Sequence, residues 1–253
     1  MTYPQENKSS NIGRAVTAVM VLAVLGGIAT LGWMWLSDVE VTEVKITGYS
    51  QASPDSLAAL ARVEPGESLY DVKPAFVKDR VQRHPWVESA HITRLPTGTL
   101  NIDVKEREPV LLMMGGNGES FYIDANGFQM PRESGYVNVP ILTGDPLEYK
   151  PLKPVDNEKL LSFLGHLADS DLDEIISEVQ LSDEGISLYT VSGENHAAIP
   201  VTLGRGDLEE KLSALRLFWT QAVQGQPEKR IKEVDLRFAG QVVVQEEDIQ
   251  PDQ

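Results

Sequence analysis

A run without a charged side chain extends from Ala15 to Leu36, and more than two hundred acidic, globular-looking residues follow it. At about 1.5 Å per residue such a run spans roughly 33 Å as a helix, enough to cross a hydrocarbon core of about 30 Å. Lys8 and Arg14 precede it, while Asp38, Glu40 and Glu43 follow, so the positive-inside bias places the amino terminus in the cytoplasm and everything from Ser37 onward across the membrane. Trp33 and Trp35 suit the membrane interface, where an amphipathic ring has one apolar and one wet side. A cleaved signal peptide shares the basic start and apolar run. Its apolar region is typically about 7–15 residues and ends at small residues, whereas this one exits through Trp33, Met34, Trp35 and Leu36. The reading is therefore a single retained span.

Of the 253 residues, those beyond the anchor suffice for two small domains. The formal charge is −16; Lys8 and Arg14 against Glu6 leave the first 36 residues at +1, so the remainder carries −17. A surface of that sign repels nucleic acid. Cysteine is absent, which removes disulfides, zinc thiolates and thiol catalysis. His84, His91, His166 and His196 lack the i, i+4 spacing that sets two ligands on one helical face, so no metal site is expected. No G-x-S-x-G elbow, S-x-x-K or phosphate-binding G-x-x-x-x-G-K-[ST] occurs, so no catalytic residue and no cofactor is assigned.

Beyond the anchor a strand pattern opens at Val39 and Val41 and shifts phase to Val44 and Ile46, the mark of a bulge or of a strand that starts nearer Val44. Ser53-Pro54 reads as an N-cap followed by proline at the first helical position, with Leu57, Leu60 and Ala61 as the buried stripe. A second helix is predicted near Lys73–Arg83, with Val77 and Val81 on one face and Pro85 stopping it. Two strands follow, Val87–Thr93 and Thr99–Lys105, joined by Leu95-Pro96-Thr97-Gly98. Two helices on a three-stranded sheet bury both stripes, which makes this region α+β.

Further on, Phe121–Asp124 enters an Asn126-Gly127 hairpin turn, and Leu160, Phe163, Leu164 and Leu167 mark a helix. Strands are expected around Glu178–Leu181, Ile186–Thr190 and Pro200–Leu203. Asp207 with Glu210 forms a capping pattern ahead of a helix whose face carries Leu208, Leu212, Leu215 and Trp219. Val234, Leu236 and Phe238 alternate with Asp235 and Arg237, and a turn at Ala239-Gly240 leads to a last strand at Gln241–Gln245.

Three runs in this order, His84-Pro85-Trp86-Val87-Glu88-Ser89-Ala90, Arg94-Leu95-Pro96-Thr97-Gly98-Thr99-Leu100 and Glu106-Arg107-Glu108-Pro109-Val110, behind a single anchor, resemble the FtsQ/DivIB family of bacterial cell-division proteins. Asp124–Gly127, Leu203-Gly204-Arg205-Gly206 and the Val234–Phe238 stretch are similar to further family motifs. The resemblance implies a cytoplasmic tail (1–14), a transmembrane helix (15–36), a POTRA domain (39–109), a mixed α/β "β-domain" (110–246) with a carboxy-terminal hairpin, and a disordered tail (247–253). It implies a non-catalytic scaffold of the divisome in the inner membrane, periplasmic for most of its length, with FtsB and FtsL as partners of the β-domain. Carried over by position, the partner-binding residues are Arg205, Arg237, Phe238, Gly240, Gln241, Val242, Val243 and Val244. Phe238 stands where the family commonly has tyrosine, so only ring packing is available there. Arg205 is also open to a plain reading as a surface cation at a helix start, where the dipole does not favour it.

Two readings of the last strand stand side by side: an edge already paired on both sides and covered, or an open edge that accepts a partner's strand. Val242, Val243 and Val244 are all apolar, which predicts that one of their two faces is covered by something other than a half-exposed sheet. Trp86 and the Asp124–Gly127 turn read as fold features first. A POTRA-bearing transport or chaperone component and a membrane-anchored periplasmic enzyme are the alternative classes.

Overall fold

The computed structural model describes residues 8–114, 118–132, 136–144, 147–191, 197–223 and 231–246. His196 and the tail at 247–253 lie outside the described residues, as do the first seven positions. Helix α1 runs over Lys8–Ser37, and its segment Gly13–Met34 is long and apolar enough to cross a membrane, with none of it buried inside the protein. It starts about two turns ahead of Ala15, within the stretch that the resemblance gives to the cytoplasmic tail. Once a helix is nucleated each added residue gains one hydrogen bond, and Lys8–Arg14 contains no proline to stop it.

By contacts the chain divides into two compact units. One takes the chain up to Tyr49 with Pro54–Val81 and Ser89–Val104; the other takes Ser50–Ser53, Gln82–Glu88 and everything from Lys105.

In the first, β1 (Glu43–Thr47) lies parallel to β3 (Thr99–Glu106), with β2 (Val87–Arg94) on the other side of β3. Helices α2 (Pro54–Ala61) and α3 (Pro74–Val81) supply Leu57, Ala61, Val77 and Val81 to a core shared with Leu100 and Ile102. This is the two-helix, three-stranded α+β layer that the apolar stripes predict. The phase shift ahead of β1 has a cause: Val41 is buried outside any strand, donating its N–H to Glu67, and the strand starts at Glu43. Gly98 turns β2 into β3 at φ +92°, and a Cβ there would come within 2.7 Å of the Glu40 carbonyl.

The second unit is built on a nine-stranded sheet. Its strands are β4 (Pro109–Met114), β5 (Ser120–Asp124), β6 (Gln129–Pro131), β7 (Ile141–Gly144), β8 (Ile176–Ser182), β9 (Gly185–Thr190), β10 (Pro200–Gly204), β11 (Ile231–Asp235) and β12 (Val243–Glu246), in the spatial order 12-11-10-9-8-7-4-5-6. Helix α4 (Glu158–Ala168) connects the parallel pair β7/β8, and α5 (Leu208–Phe218), extended by a π-helical turn at Trp219–Val223, leads from β10 towards its parallel neighbour β11. Leu160, Phe163, Leu164 and Leu167 of α4 and Leu212, Leu215 and Trp219 of α5 share one core with Leu142, Val179, Leu188, Val201, Val234 and Leu236 from the strands. Asn157 caps α4 by accepting from Leu160 N–H at 3.1 Å, and Asp207 caps α5 by accepting from Glu210 N–H at 3.0 Å. Trp86 is buried within this unit, its ring 5.8 Å from that of Tyr122 and its Nε1 donating to the Pro131 carbonyl, as a core reading of it expects.

Candidate partner-binding edge

Strand β10 ends in Gly204, at φ +65°, and the turn Gly204-Arg205-Gly206 delivers the chain to Asp207 and α5. A Cβ on Gly204 would sit 2.8 Å from Arg237 Cγ, so the glycine makes room for the arginine stem that crosses it. Arg205 does not sit on the α5 dipole: its Nη2 reaches back to donate to the Asp183 carbonyl at 2.6 Å. That answers the electrostatic objection to a cation at a helix start.

On the other side, β11 closes with Val234 buried and Leu236 buried beyond its end. Asp235 accepts both Nε and Nη2 of Arg237, the latter at 2.6 Å, together with the Arg237 backbone N–H. The Arg237 side-chain hydrogen bonds hold the Asp235 carboxyl below its ordinary value, against the opposing effect of burial. The arginine itself is 59% exposed, so its stem and guanidinium border open space.

The hairpin differs from its expectation. The alternation at Val234, Leu236 and Phe238 predicts a strand through Phe238, but β11 ends at Asp235, and the Arg237 bond to Asp235 curls the chain out of the ladder. Phe238 is 54% exposed. The turn is centred on Ala239-Gly240, closed by Gln241 N–H donating to the Phe238 carbonyl, with Gly240 at φ +69°. Gly240 N–H also donates to Glu210 Oε1 on α5. The last strand then covers Val243–Glu246 rather than Gln241–Gln245.

Between α5 and this corner lies a groove of about 470 Å³. Arg205, Arg237, Phe238, Gly240, Gln241 and Val242 all line it; Val243 and Val244 do not, standing alongside on β12. Strand β12 pairs antiparallel with β11 (Val234↔Val244, Asp235↔Val243) and is the last strand of the sheet, with no second neighbour among the described residues. Among the described residues the covering expected for the valines is not present: Val242 is 36% and Val243 45% exposed, and Val244, opposite Val234, is half-buried.

Three groove residues escape the sequence pattern: Ala214, Leu217 and Phe218 on the upper side of α5, with Leu217 58% exposed. A signal existed in Leu215, Leu217, Phe218 and Trp219, too many apolar residues for one helical stripe. Lys211 was also missed. It is buried and donates from Nζ to the carbonyls of Leu203, at 2.7 Å, and Arg205. Among the described residues no group of three His, Asp or Glu is placed to hold a metal.

The family model "FtsQ/DivIB, C-terminal related" matches residues 108–245, which contain the whole groove and all but the final residue of β12, and the model "POTRA domain, FtsQ-type" matches residues 39–107. The chain belongs to the FtsQ/DivIB family. A Cell division protein FtsQ of Rhodothermus marinus is 44% identical over 92% of this chain and 85% of its own length. That of Salinibacter ruber is 35% identical over 91% and 92% respectively, and that of Anaeromyxobacter is 31% identical over 79% and 70%. The FtsQ/DivIB assignment thus covers both units and rests on no single motif. It leaves α1 as the one candidate membrane span among the described residues.

Proposed function

We propose that this protein is a non-catalytic, single-pass scaffold of the bacterial divisome that binds FtsB and FtsL by accepting a strand at β12. Its amino terminus is cytoplasmic, its POTRA domain (39–109) and β-domain (110–246) are periplasmic, and it acts at the septum. The observation that carries this reading is the exposed apolar edge. Val242 and Val243 stand at the end of a nine-stranded sheet, beside an apolar groove rimmed by two arginines. An uncovered edge of this kind is a hazard that soluble domains blunt with lysine, proline or a covering helix. At Val242–Gln245 there is no lysine or proline, and Val242 and Val243 stay exposed among the described residues; of the blunting devices, the four-residue length of β12 and the register shift against β11 are present. Strand addition turns the edge into a binding device, with backbone hydrogen bonds giving affinity and the groove reading alternate side chains. Anchorage adds to the effect, because two membrane-bound proteins meet at a raised effective concentration.

Backbone N–H groups along an edge strand point alternately inward and outward. Proline at Val243 and at Val244 therefore removes one bond to β11 in one variant and one open-edge donor in the other. The test is binding of the full chain in nanodiscs to the extracytoplasmic parts of an FtsB–FtsL pair. One proline variant is expected to keep the wild-type melting curve and lose binding. Wild-type affinity in both variants, or no binding by the wild type, would remove strand addition.

A further inference from the structure

Helix α5 holds both rims of the groove with two neighbouring side chains. Glu210 accepts the Gly240 N–H of the hairpin turn, and Lys211 donates to Leu203 and Arg205 in the turn on the other side. Lys211 is 8% exposed; among the described residues it forms no salt bridge, although the Asp235 carboxylate feels its charge. A buried ammonium is costly, and an apolar residue of similar volume is often the more stable choice at such a position. Its retention points to a task that packing does not perform.

The geometry shows what that task is. Gly204 and Gly206 both have positive φ, at +65° and +105°, so the turn between them has little conformational preference of its own. Lys211 Nζ is the group that ties this turn down, from below, through carbonyls on either side of Gly204. The same turn carries the Arg205 side chain and supplies, at Gly204, the bare surface on which the Arg237 stem rests. The guanidinium groups are held at their tips by Asp183 and Asp235, while the backbone turn that bears one and supports the stem of the other is tied to one buried amine.

We infer that Lys211 is a positioning residue for partner recognition: it fixes the Gly204–Gly206 turn and so sets the places of Arg205 and Arg237 at the groove. This rests on the strand-docking reading above and adds to it a buried residue of the groove lining that acts through the turn it holds.

The test uses the full chain in nanodiscs and the same FtsB–FtsL extracytoplasmic pair. Lys211→Met keeps the stem and removes the donor; the expected loss of affinity is about tenfold, on the scale of a hydrogen bond to a charged group. A mutant cycle with Arg205→Ala/Arg237→Ala separates positioning from plain stability. If Lys211 acts through the two arginines, then Lys211→Met in that background costs less than about threefold. Should Lys211→Met fail to fold, Lys211→Gln, which retains one donor, is read in the same cycle. Wild-type binding together with equal affinity in the folded variant, or fully additive losses, would overturn the role of Lys211 while leaving strand docking intact. Absence of binding by the wild type would overturn both.

Discussion

Replacing Arg107 by methionine should cost this fold more than any other single change outside its apolar core. Asp124, 4% exposed, accepts from Asn126 N–H and Phe128 N–H through Oδ1 and from Arg107 Nη1 at 2.8 Å through Oδ2. The guanidinium is itself largely buried and lies over the Phe128 ring, 3.9 Å from its centroid. Methionine restores most of the stem packing but leaves a carboxylate in the interior with two backbone donors and no counter-charge. Breaking a buried pair from one side costs about 3–5 kcal/mol. At roughly 2–4 °C per kcal/mol for a domain of 150–250 residues, the melting point should fall by about 6–20 °C. Thermal unfolding of the full chain in micelles, followed by tryptophan fluorescence, reads this directly. Trp86 and Trp219 are buried in the affected unit, while Trp33 and Trp35 belong to a micelle-embedded helix that does not unfold. The double variant Arg107→Met/Asp124→Asn removes the orphaned charge, so its loss should be well below the sum of the two single losses. A fall under about 2 °C for Arg107→Met, or strict additivity in the double variant, would refute the claim that the pair is held as a buried unit.

Three further outcomes are expected. The folded Asp235 carboxyl lies below its ordinary value of 3.8, so the stability it lends is present above that value and lost as pH falls through the folded one; the protection factor against hydrogen exchange at the β11–β12 hairpin, corrected for the intrinsic rate at each pH, should therefore fall on acidification below about pH 4, modestly because Arg237 is well exposed, and Asp235→Asn should abolish the dependence. Asp207→Ala removes the α5 cap and should destabilise the second unit by about 1 kcal/mol in urea unfolding, with Asp207→Asn close to wild type. Leu217→Asp, at an exposed groove position, should leave the melting point within about 1 °C and weaken FtsB–FtsL binding at least tenfold by calorimetry; unchanged affinity would take the upper face of α5 out of the interface.

Elements with a clean period were legible from sequence alone. β3, where Leu100, Ile102 and Val104 alternate with polar residues, lies within one residue of its expected bounds, and α4 contains the Leu160, Phe163, Leu164 and Leu167 that recur at helical spacing, all four buried. Strands β4, β6 and β7 were not legible, for different reasons. In β4, Leu111, Leu112 and Met113 are buried on both faces, so no alternation is left to read; β6 and β7 have three and four residues, too few to show one. The hairpin was half legible. Its alternation continued three residues past the true end of β11, through Leu236 and Phe238, because nothing in Val234–Phe238 announces that Arg237 folds back on Asp235. The groove depends on tertiary placement of α5 against that corner, so Lys211 could be recognised only once both were in place, while the surplus of apolar residues at Leu217 and Phe218 was a signal without an address.

The last residue along the chain to join the main core is Leu236. Every group from Phe238 to Glu246 comes after it and contributes nothing to that core, yet these residues form one wall of the groove and the whole open edge. Substitutions between Phe238 and Glu246 can therefore reshape the groove wall and the edge without opening the apolar interior.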